Sequence, residues 1–414
     1  MASSMLSVRE ALDLLVPQFS PLGAEHLALP EATDRVLAHA VTVQTDLPSF
    51  DHSAMDGYAL ARASADASVT LTVSAEIKAG DRPQPLAAGT VARIFTGAPL
   101  PPGADTVVIQ EDTARDGSEV TLHSLPELGA NVRGRASEYR AGAPLFAAGT
   151  LLGPSEIGLL ATQGYAQVDV VRKPRVAILA TGNELRTLQA APAPFTIVDS
   201  NTYALSAALT RAGCIPVPLG IAGDDLSVIQ SHVARGLACD ALITVGGVSV
   251  GDYDLVSDAL RAAAVRVEFH KVAIKPGKPL LFGVYDQGAH HVPVIGLPGN
   301  PVSALVVFEI FVRPGLLRMQ GVRDVFPQAI DVKLANDYRR KPGRTEFVRA
   351  QLKYESGEWV AHIHSQQGSG SMSSLTAGSA LVIAPQQRGK LEAGETLKAI
   401  VPTLPRRSDP AFAD

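Results

Sequence analysis

Residues 241–254 read ALITVGGVSVGDYD. Ala241 to Val245 is an unbroken apolar run of strand length, and Gly246 and Gly247 follow it at once. A buried strand that turns into a loop poor in side chains is expected there. The stretches on either side repeat the alternation. Val176 to Ala180 reads as a strand, Asn201 to Ala212 as a helix closed by Gly213, and Ile215 to Ile221 as a second strand. Leu226, Ile229, Val233 and Leu237 then recur at helical spacing, and Leu255, Val256, Ala259 and Leu260 mark another helix. Strands near Val265–Phe269, Leu280–Phe282 and Val292–Gly296 precede a last helix over Val302–Leu317. This β-α-β order predicts a doubly wound, mostly parallel sheet with right-handed crossovers across residues 173–325.

The flanks have other rhythms. Ser7 and Glu10 form an S-x-x-E capping box before Leu12, Leu14 and Leu15, and Pro17 stops that helix; a second helix is expected over Pro30–Val41. Short β-branched runs such as Val69–Ser74 and Val91–Phe95, cut by Gly and Pro, make residues 46–139 a β-rich insertion. Residues 1–45 and 140–172 are expected to form one elongated N-terminal unit around it. Alternating runs at Ala329–Leu334, Glu346–Tyr354, Glu358–Ser365, Ala380–Ala384 and Thr396–Val401 predict a small β-barrel over residues 326–404, with 405–414 a mobile tail. The expected fold class is therefore a multidomain α/β protein.

Composition narrows the function. In 414 residues, 36 Lys and Arg against 41 Asp and Glu give a net charge of −5, which argues against a nucleic-acid binder. Cys214 and Cys239 are the two cysteines and neither lies in a C-x-x-C, so no disulfide framework or cysteine zinc site is expected. No run approaches the ~20 apolar residues of a membrane helix, and Arg9, Glu10 and Asp13 sit where an export signal is apolar. A cytoplasmic protein without membrane or nucleic-acid partners is expected.

In an open parallel sheet, ligands bind beyond the carboxyl ends of the strands. Four loops leave those ends: Thr181-Gly182-Asn183-Glu184, Gly223-Asp224-Asp225, the glycine loop Gly246 to Asp254 with Ser249 and Gly251, and Pro298-Gly299-Asn300-Pro301. Such turns bring backbone N–H groups to an anion, and a phosphate-bearing ligand is the inference. Asp252 stands where a P-loop needs Lys, and no G-x-G-x-x-G follows the first strand, which counts against ordinary kinases and dehydrogenases. Lys271, Lys275 and Lys278 in KVAIKPGKP lead into the same domain and could hold a polyanion; a solvated charge run is the plainer alternative. Glu184, Asp224 and Asp254 near phosphate oxygens suit Mg²⁺, although Asp224 is also well placed as a helix N-cap. Asp56 in SAMDGY and Thr96 in TGAP read locally as turn residues, and the histidine pairs His290-His291 and His362/His364 as solvated or strand-face groups.

Eight passages taken together resemble one family, the molybdopterin molybdenumtransferases, which include bacterial MoeA and the gephyrin E domain. They are FDHSAMDGYA (50–59), IFTGAPLPPGADTVV (94–108), VAILATGNEL (176–185), DSN (199–201), GDD (223–225), GGVSVGDYD (246–254), KVAIKPGKP (271–279) and GLPGNPVSA (296–304). The resemblance implies a molybdopterin-binding type of α/β domain and an enzyme that inserts molybdenum into adenylylated molybdopterin. Its substrates would be that adenylate and molybdate, with Mg²⁺ as cofactor and AMP as a product. It implies catalytic roles for Asp56, Thr96, Glu184, Asp224, Lys271 and Lys275. Substrate contacts are implied for Arg133, Gly246, Gly247, Ser249, Gly251, Asp254, Lys278, Pro298, Gly299, Asn300, Pro301 and Ser371, and metal ligation for Glu184, Asp224 and Asp254. A homodimer with a composite site and an upstream molybdopterin adenylyltransferase partner are also implied.

Three positions depart from the family pattern: His52 replaces an Asn, Asn183 an Asp, and Glu138 an Asp. Two other readings compete. A molybdopterin adenylyltransferase would share the glycine loop, but the β insertion and barrel count against it. A non-catalytic dimeric scaffold would not need the retained acids and lysines.

Overall fold

The structure is a computed structural model that describes residues 5–66, 68–247, 255–288 and 290–402. The chain divides into two compact units: one takes the described residues of Met1–Ala38, Gly149–Gly153 and Val168–Asp414, the other His39–Ala148 and Pro154–Gln167.

In the first unit, α1 (Val8–Leu15) starts on the expected capping box: Glu10 N–H donates to Ser7 Oγ at 3.2 Å and Ser7 N–H to Glu10 Oε2 at 2.8 Å. The helix expected over 30–41 does not form. A single 3₁₀ turn covers Leu29–Glu31, and Asp34 has φ 60°. From there the backbone bonds to distant chain: Asp34 N–H donates to Leu152 O at 2.8 Å, Leu37 N–H to Thr150 O at 2.9 Å and Ala38 N–H to Asp169 O at 3.0 Å. Val36 and Leu37 are buried by those partners in extended form, so tertiary pairing overrides local helix propensity.

The α/β layer contains β1 (Arg175–Thr181), α2 (Ser200–Arg211), β2 (Ile215–Ala222), α3 (Leu226–Gly236), β3 (Ala241–Val245), α4 (Leu255–Ala262), β4 (Arg266–Lys271), β5 (Pro279–Gln287), β6 (His290–Leu297), α5 (Pro301–Val307) and α6 (Arg313–Met319). A π-helical turn, Phe308–Val312, joins α5 to α6. The sheet order among the described residues is β2-β1-β3-β6-β5-β4. The first four strands are parallel, and β5 runs antiparallel to β6 and β4. Both faces are covered, which is why the strands read as unbroken apolar runs. Val176, Ile178, Ile243 and Ile295 pack on one face with Phe19, Leu205 and Phe311; Ala177, Leu179, Leu242 and Val294 pack on the other with Ile229, Val233 and Leu260.

The C-terminal strands β7 (Ala329–Leu334), β8 (Thr345–Glu355), β9 (Glu358–Ile363), β10 (Ala380–Ala384) and β11 (Thr396–Ile400) pair in the order β8-β9-β7-β11-β10, and β10 returns to β8. This closes a barrel with no free edge within the ring. Ile274–Lys275 of the α/β layer adds beside Thr345–Glu346 in parallel register. Phe347, Leu381 and Ile400 of the barrel belong to the α/β core cluster, so the two layers share buried apolar surface.

The second unit is built on a sheet of Thr106–Ile109, Gly57–Leu60, Thr90–Ile94, Thr70–Ile77, Glu119–Leu122 and Thr113–Asp116, in that spatial order. Tyr58, Leu60, Val91, Val108 and Val120 fill one face and Ala59, Ala92, Ile94 and Val107 the other.

Gly315 in α6 lies against the buried Phe19 ring, and a Cβ there would stand 2.7 Å from Phe19 Cδ2. Ala in a helix interior gains about 1 kcal/mol over Gly, whereas overpacking costs about 1–3 kcal/mol. Phe19 is fully buried and stacks on Phe282, so the ring has little room to yield. Gly315→Ala is expected to lower the urea unfolding midpoint; a raised midpoint would show that the ring moves aside.

Candidate active site at the carboxyl ends of the sheet

A cleft of about 810 Å³ opens beyond the ends of β1, β2, β3 and β6. Its lining includes Glu184, Asp224, Gly246, Gly247, Pro298, Gly299, Asn300 and Pro301, together with Asp199, Asn201 and Gly370. Hydrogen bonds tie the loops together. Gly182 N–H donates to Ala222 O at 3.2 Å and Gly246 N–H to Leu297 O at 3.1 Å. Asn201 Nδ2 donates to Gly299 O at 2.7 Å, and Val302 N–H to Ser369 O of the barrel at 3.2 Å.

Glycine is required where the walls meet. Gly246 has φ 87° and a Cβ on it would lie 2.6 Å from Thr181 O; Gly247 has φ 63° and its Cβ would meet Val256 Cγ2 at 2.5 Å. At Gly182, φ 142°, a Cβ would collide with the Glu184 carboxylate, so that carboxylate lies folded over bare backbone.

Asp224 is not the helix cap. Asp225 is: its Oδ1 accepts from Ser227 N–H at 2.8 Å and Val228 N–H at 3.1 Å, and its carboxyl is held below the usual range first by the Ser227 hydroxyl and then by those N–H groups. Asp224 is left exposed on the cleft wall. Asn183, one of the departures from the family pattern, accepts from Asp224 N–H through Oδ1 at 3.0 Å and so joins the first loop to the second. Among the described residues no group of three His, Cys, Asp or Glu could hold a metal, and Ser249, Gly251 and Asp254 lie outside the described residues. Glu184 and Asp224 are oxygen donors, both exposed to the same cleft, which is the donor type a hard divalent cation takes.

None of Lys271, Lys275 and Lys278 is among the described residues lining the cleft, although Pro279, which follows Lys278, is. Lys271 stands opposite Pro279 in the β4–β5 pairing. Lys275 Nζ is 2.8 Å from Glu346 Oε1 on β8. Burial alone would raise the Glu346 carboxyl, but hydrogen bonds from Lys275, Arg340 and Tyr338 bring it below the usual range. Burial and the Glu346 charge together push the Tyr338 hydroxyl up. Ser371 follows Gly370 of the lining, and its hydroxyl donates to Gln366 Oε1 at 3.1 Å. The buried Arg349 donates through Nη2 to Gly368 O at 3.2 Å and Gln366 O at 3.4 Å, so it supports the turn that carries Ser371. Sequence reading gives no role to Asn183 as a link, to Glu346 or to Arg349; Glu346-Phe347 figures only as an extension of the family likeness into the C-terminal strands, and charge within a strand run is all that marks Arg349.

In the second unit, Asp56 and Thr96 are direct partners: Thr96 N–H and Oγ1–H both donate to Asp56 Oδ1 at 2.8 Å. Those two bonds, the N–H first, hold the Asp56 carboxyl below its usual range. Arg133 is exposed and stands opposite His52 in a short antiparallel pair, with Val132 opposite Ser53. Glu138 is exposed, and its N–H donates to Leu47 O at 3.0 Å.

A doubly wound sheet with a loop-built cleft at its carboxyl ends, joined to a five-stranded barrel and an inserted β unit, defines a multidomain α/β protein of the molybdopterin-binding class. Three family models match: "MoeA N-terminal region (domain I and II)" over residues 6–164, "Probable molybdopterin binding domain" over 177–318 and "MoeA C-terminal region (domain IV)" over 331–401. The chain is 37% identical to the molybdopterin molybdenumtransferase of a Nostoc species, across 92% of this chain and 90% of that one. It is 33% identical to the Haemophilus influenzae protein of the same name, across 95% and 98%. A crystal structure of the molybdopterin biosynthesis MoeA protein from Pyrococcus horikoshii superposes with a TM-score of 0.82 at 28% identity, covering 96% of this chain and all of that one, 100%. The chain belongs to the MoeA family of molybdopterin molybdenumtransferases. No helix among the described residues is long and apolar enough to cross a membrane.

Because Thr96 stabilises the charged form of Asp56, this pairing contributes to stability above the unfolded carboxyl pKa and is lost as pH falls through the lower folded value. An NMR titration is expected to find the Asp56 carboxyl below 3.8 in the native protein and nearer 3.8 in Thr96→Val. Equal values in both would show that the Thr96 hydroxyl does not contribute and that the backbone N–H alone holds the carboxyl down.

Proposed function

We propose that the cleft binds adenylylated molybdopterin and molybdate, and that the chain transfers molybdenum to the dithiolene while the adenylate is hydrolysed to AMP. The observation that carries this reading is the convergence of Glu184, Asp224, the Gly246-Gly247 turn and the Pro298–Pro301 loop on one cleft. Bare backbone at Gly246 and Gly247 lets phosphate oxygens approach closely, and the first turn of α2 at Ser200 and Asn201 borders the same space. Ser249 and Gly251 would extend that cradle. The Pro298–Pro301 loop and Ser371 would hold the pterin and oxyanion side.

Glu184 and Asp224, with Asp254, would hold Mg²⁺, which when bound offsets negative charge on the phosphate oxygens. The chain's own cations serve the same end: Lys271 and Lys275 receive charge that grows on phosphate and molybdate oxygens, and Lys278 adds to their field. In this reading a second copy of the chain completes the site with Asp56, Thr96 and Arg133, and a molybdopterin adenylyltransferase supplies the adenylate. The protein works in the cytoplasm.

The test is to supply purified protein with adenylylated molybdopterin, Mg²⁺ and molybdate and to follow AMP. AMP release coupled to cofactor formation supports the reading. ATP consumption with unmodified molybdopterin would indicate adenylyl transfer instead, and inactivity with intact peptide binding a scaffold. Asp224→Asn is expected to lower AMP release roughly a hundredfold, the scale of one lost electrostatic contact in a site. Its unfolding midpoint should stay at the wild-type value, because Asp225 and not Asp224 caps α3. Asp225→Ala, which removes that cap, should lower the midpoint; a lowered midpoint in Asp224→Asn would reassign Asp224 to structure.

A further inference from the structure

Glu346 lies on β8 of the barrel with 2% of its side chain exposed, and three groups converge on its carboxylate. Oε1 accepts from Lys275 Nζ at 2.8 Å and from Tyr338 OH at 2.9 Å, while Oε2 accepts from Arg340 Nε at 2.7 Å. Arg340 is itself fully buried and fixed by the carbonyl oxygens of Pro385, Arg388 and Arg344. Lys275 differs from it, with 38% of its side chain exposed. The backbone sets the meeting point, since Ile274–Lys275 pairs with Thr345–Glu346 and Thr345 N–H donates to Ala273 O at 2.9 Å.

The charges do not balance. One buried carboxylate is hydrogen-bonded by two cations and lies in the field of a third, the buried Arg349, and Arg340, which has no access to solvent, is the one held rigidly against it. The excess positive charge therefore belongs to the exposed member. We infer that Glu346 is a positioning residue: it fixes the Lys275 ammonium at the seam between barrel and α/β layer without cancelling its charge, so that Lys275 meets an oxyanion already oriented. A lone surface lysine would have to lose rotamer freedom on binding; this one has lost it during folding. The role gives the barrel a part in the chemistry, and it rests on the reading of Lys275 under the proposed function.

Two measurements on Glu346→Gln and Glu346→Asp test it. The first is the rate at which Lys275 is acylated by an amine-reactive ester, read by mass spectrometry in the folded protein; it needs no substrate. Loss of one charge-assisted hydrogen bond should raise that rate roughly tenfold in Glu346→Gln. Glu346→Asp keeps the charge but withdraws it by one methylene, should fold where Gln does not, and should give an intermediate rate. The second is molybdate-dependent AMP release per folded molecule. In Glu346→Gln, kcat should fall roughly tenfold while the KM for molybdate does not rise, because the positive charge remains. Glu346→Asp should recover part of kcat.

An unchanged acylation rate in both variants overturns the inference, as does a raised rate with kcat intact. A role confined to stability would reduce the folded fraction and leave both constants per folded molecule unaltered. If wild-type protein releases no AMP at all, the functional reading fails, and the acylation rates still decide whether Glu346 anchors Lys275.

Discussion

The chain leaves the central strand of the sheet through backbone alone. At Gly246 a single added carbon would sit 2.6 Å from Thr181 O on the neighbouring strand, and at Gly247 it would sit 2.9 Å from Thr181 Oγ1 and 2.5 Å from Val256 Cγ2. The ends of β1 and β3 can approach one another only because nothing projects between them. Everything around the cleft follows from that closeness. The Gly182–Glu184 turn reaches the Asp224 loop through Asn183, and the Pro298–Pro301 loop reaches α2 through Asn201. Widening the gap by one methyl group would shift several hydrogen-bonded loops together, because close-packed interiors transmit strain.

Electrostatics then gives the space its meaning. Two carboxylates on the wall of a cleft whose floor is bare glycine backbone are at odds if the ligand is a simple anion, since they repel what the N–H groups attract. Under the proposed function, a divalent cation between carboxylates and phosphate would remove the conflict. The lysines take no part in the wall itself. Lys275 is instead held at the barrel seam by Glu346, and the barrel shares its apolar surface with the α/β core through Phe347, Leu381 and Ile400.

The α/β sheet was readable because its strands are buried on both faces: Val176 and Ile178 point one way, Ala177 and Leu179 the other, and a run apolar on both sides admits few other interpretations. The barrel strands were readable from alternation. The segment around Val36 and Leu37 was not, because its hydrogen bonds go to residues 150–152 and 169–171, and no local pattern encodes a partner so remote. The site divides the same way. The loops at the strand ends could be placed from topology, whereas the Asp56–Thr96 contact spans 40 residues and left no spacing signal. Choosing between Asp224 and Asp225 as the cap needed the φ and ψ of the turn. Glu346 and Arg349 sit in a strand where charged residues ordinarily face water, but both faces of that strand are covered: Glu346 shares its face with Val348 and Ala350 of the barrel core, and Arg349 shares the other with Phe347, against the α/β layer.

The most direct measurement is a crystal structure of the protein with AMP, Mg²⁺ and molybdate. The account requires the adenylate phosphate and a cation between Glu184, Asp224 and the Gly246-Gly247 turn, with the oxyanion on the side of Lys275 and Ser371. Well-ordered AMP and metal bound on another face, with this cleft holding only solvent, would contradict it.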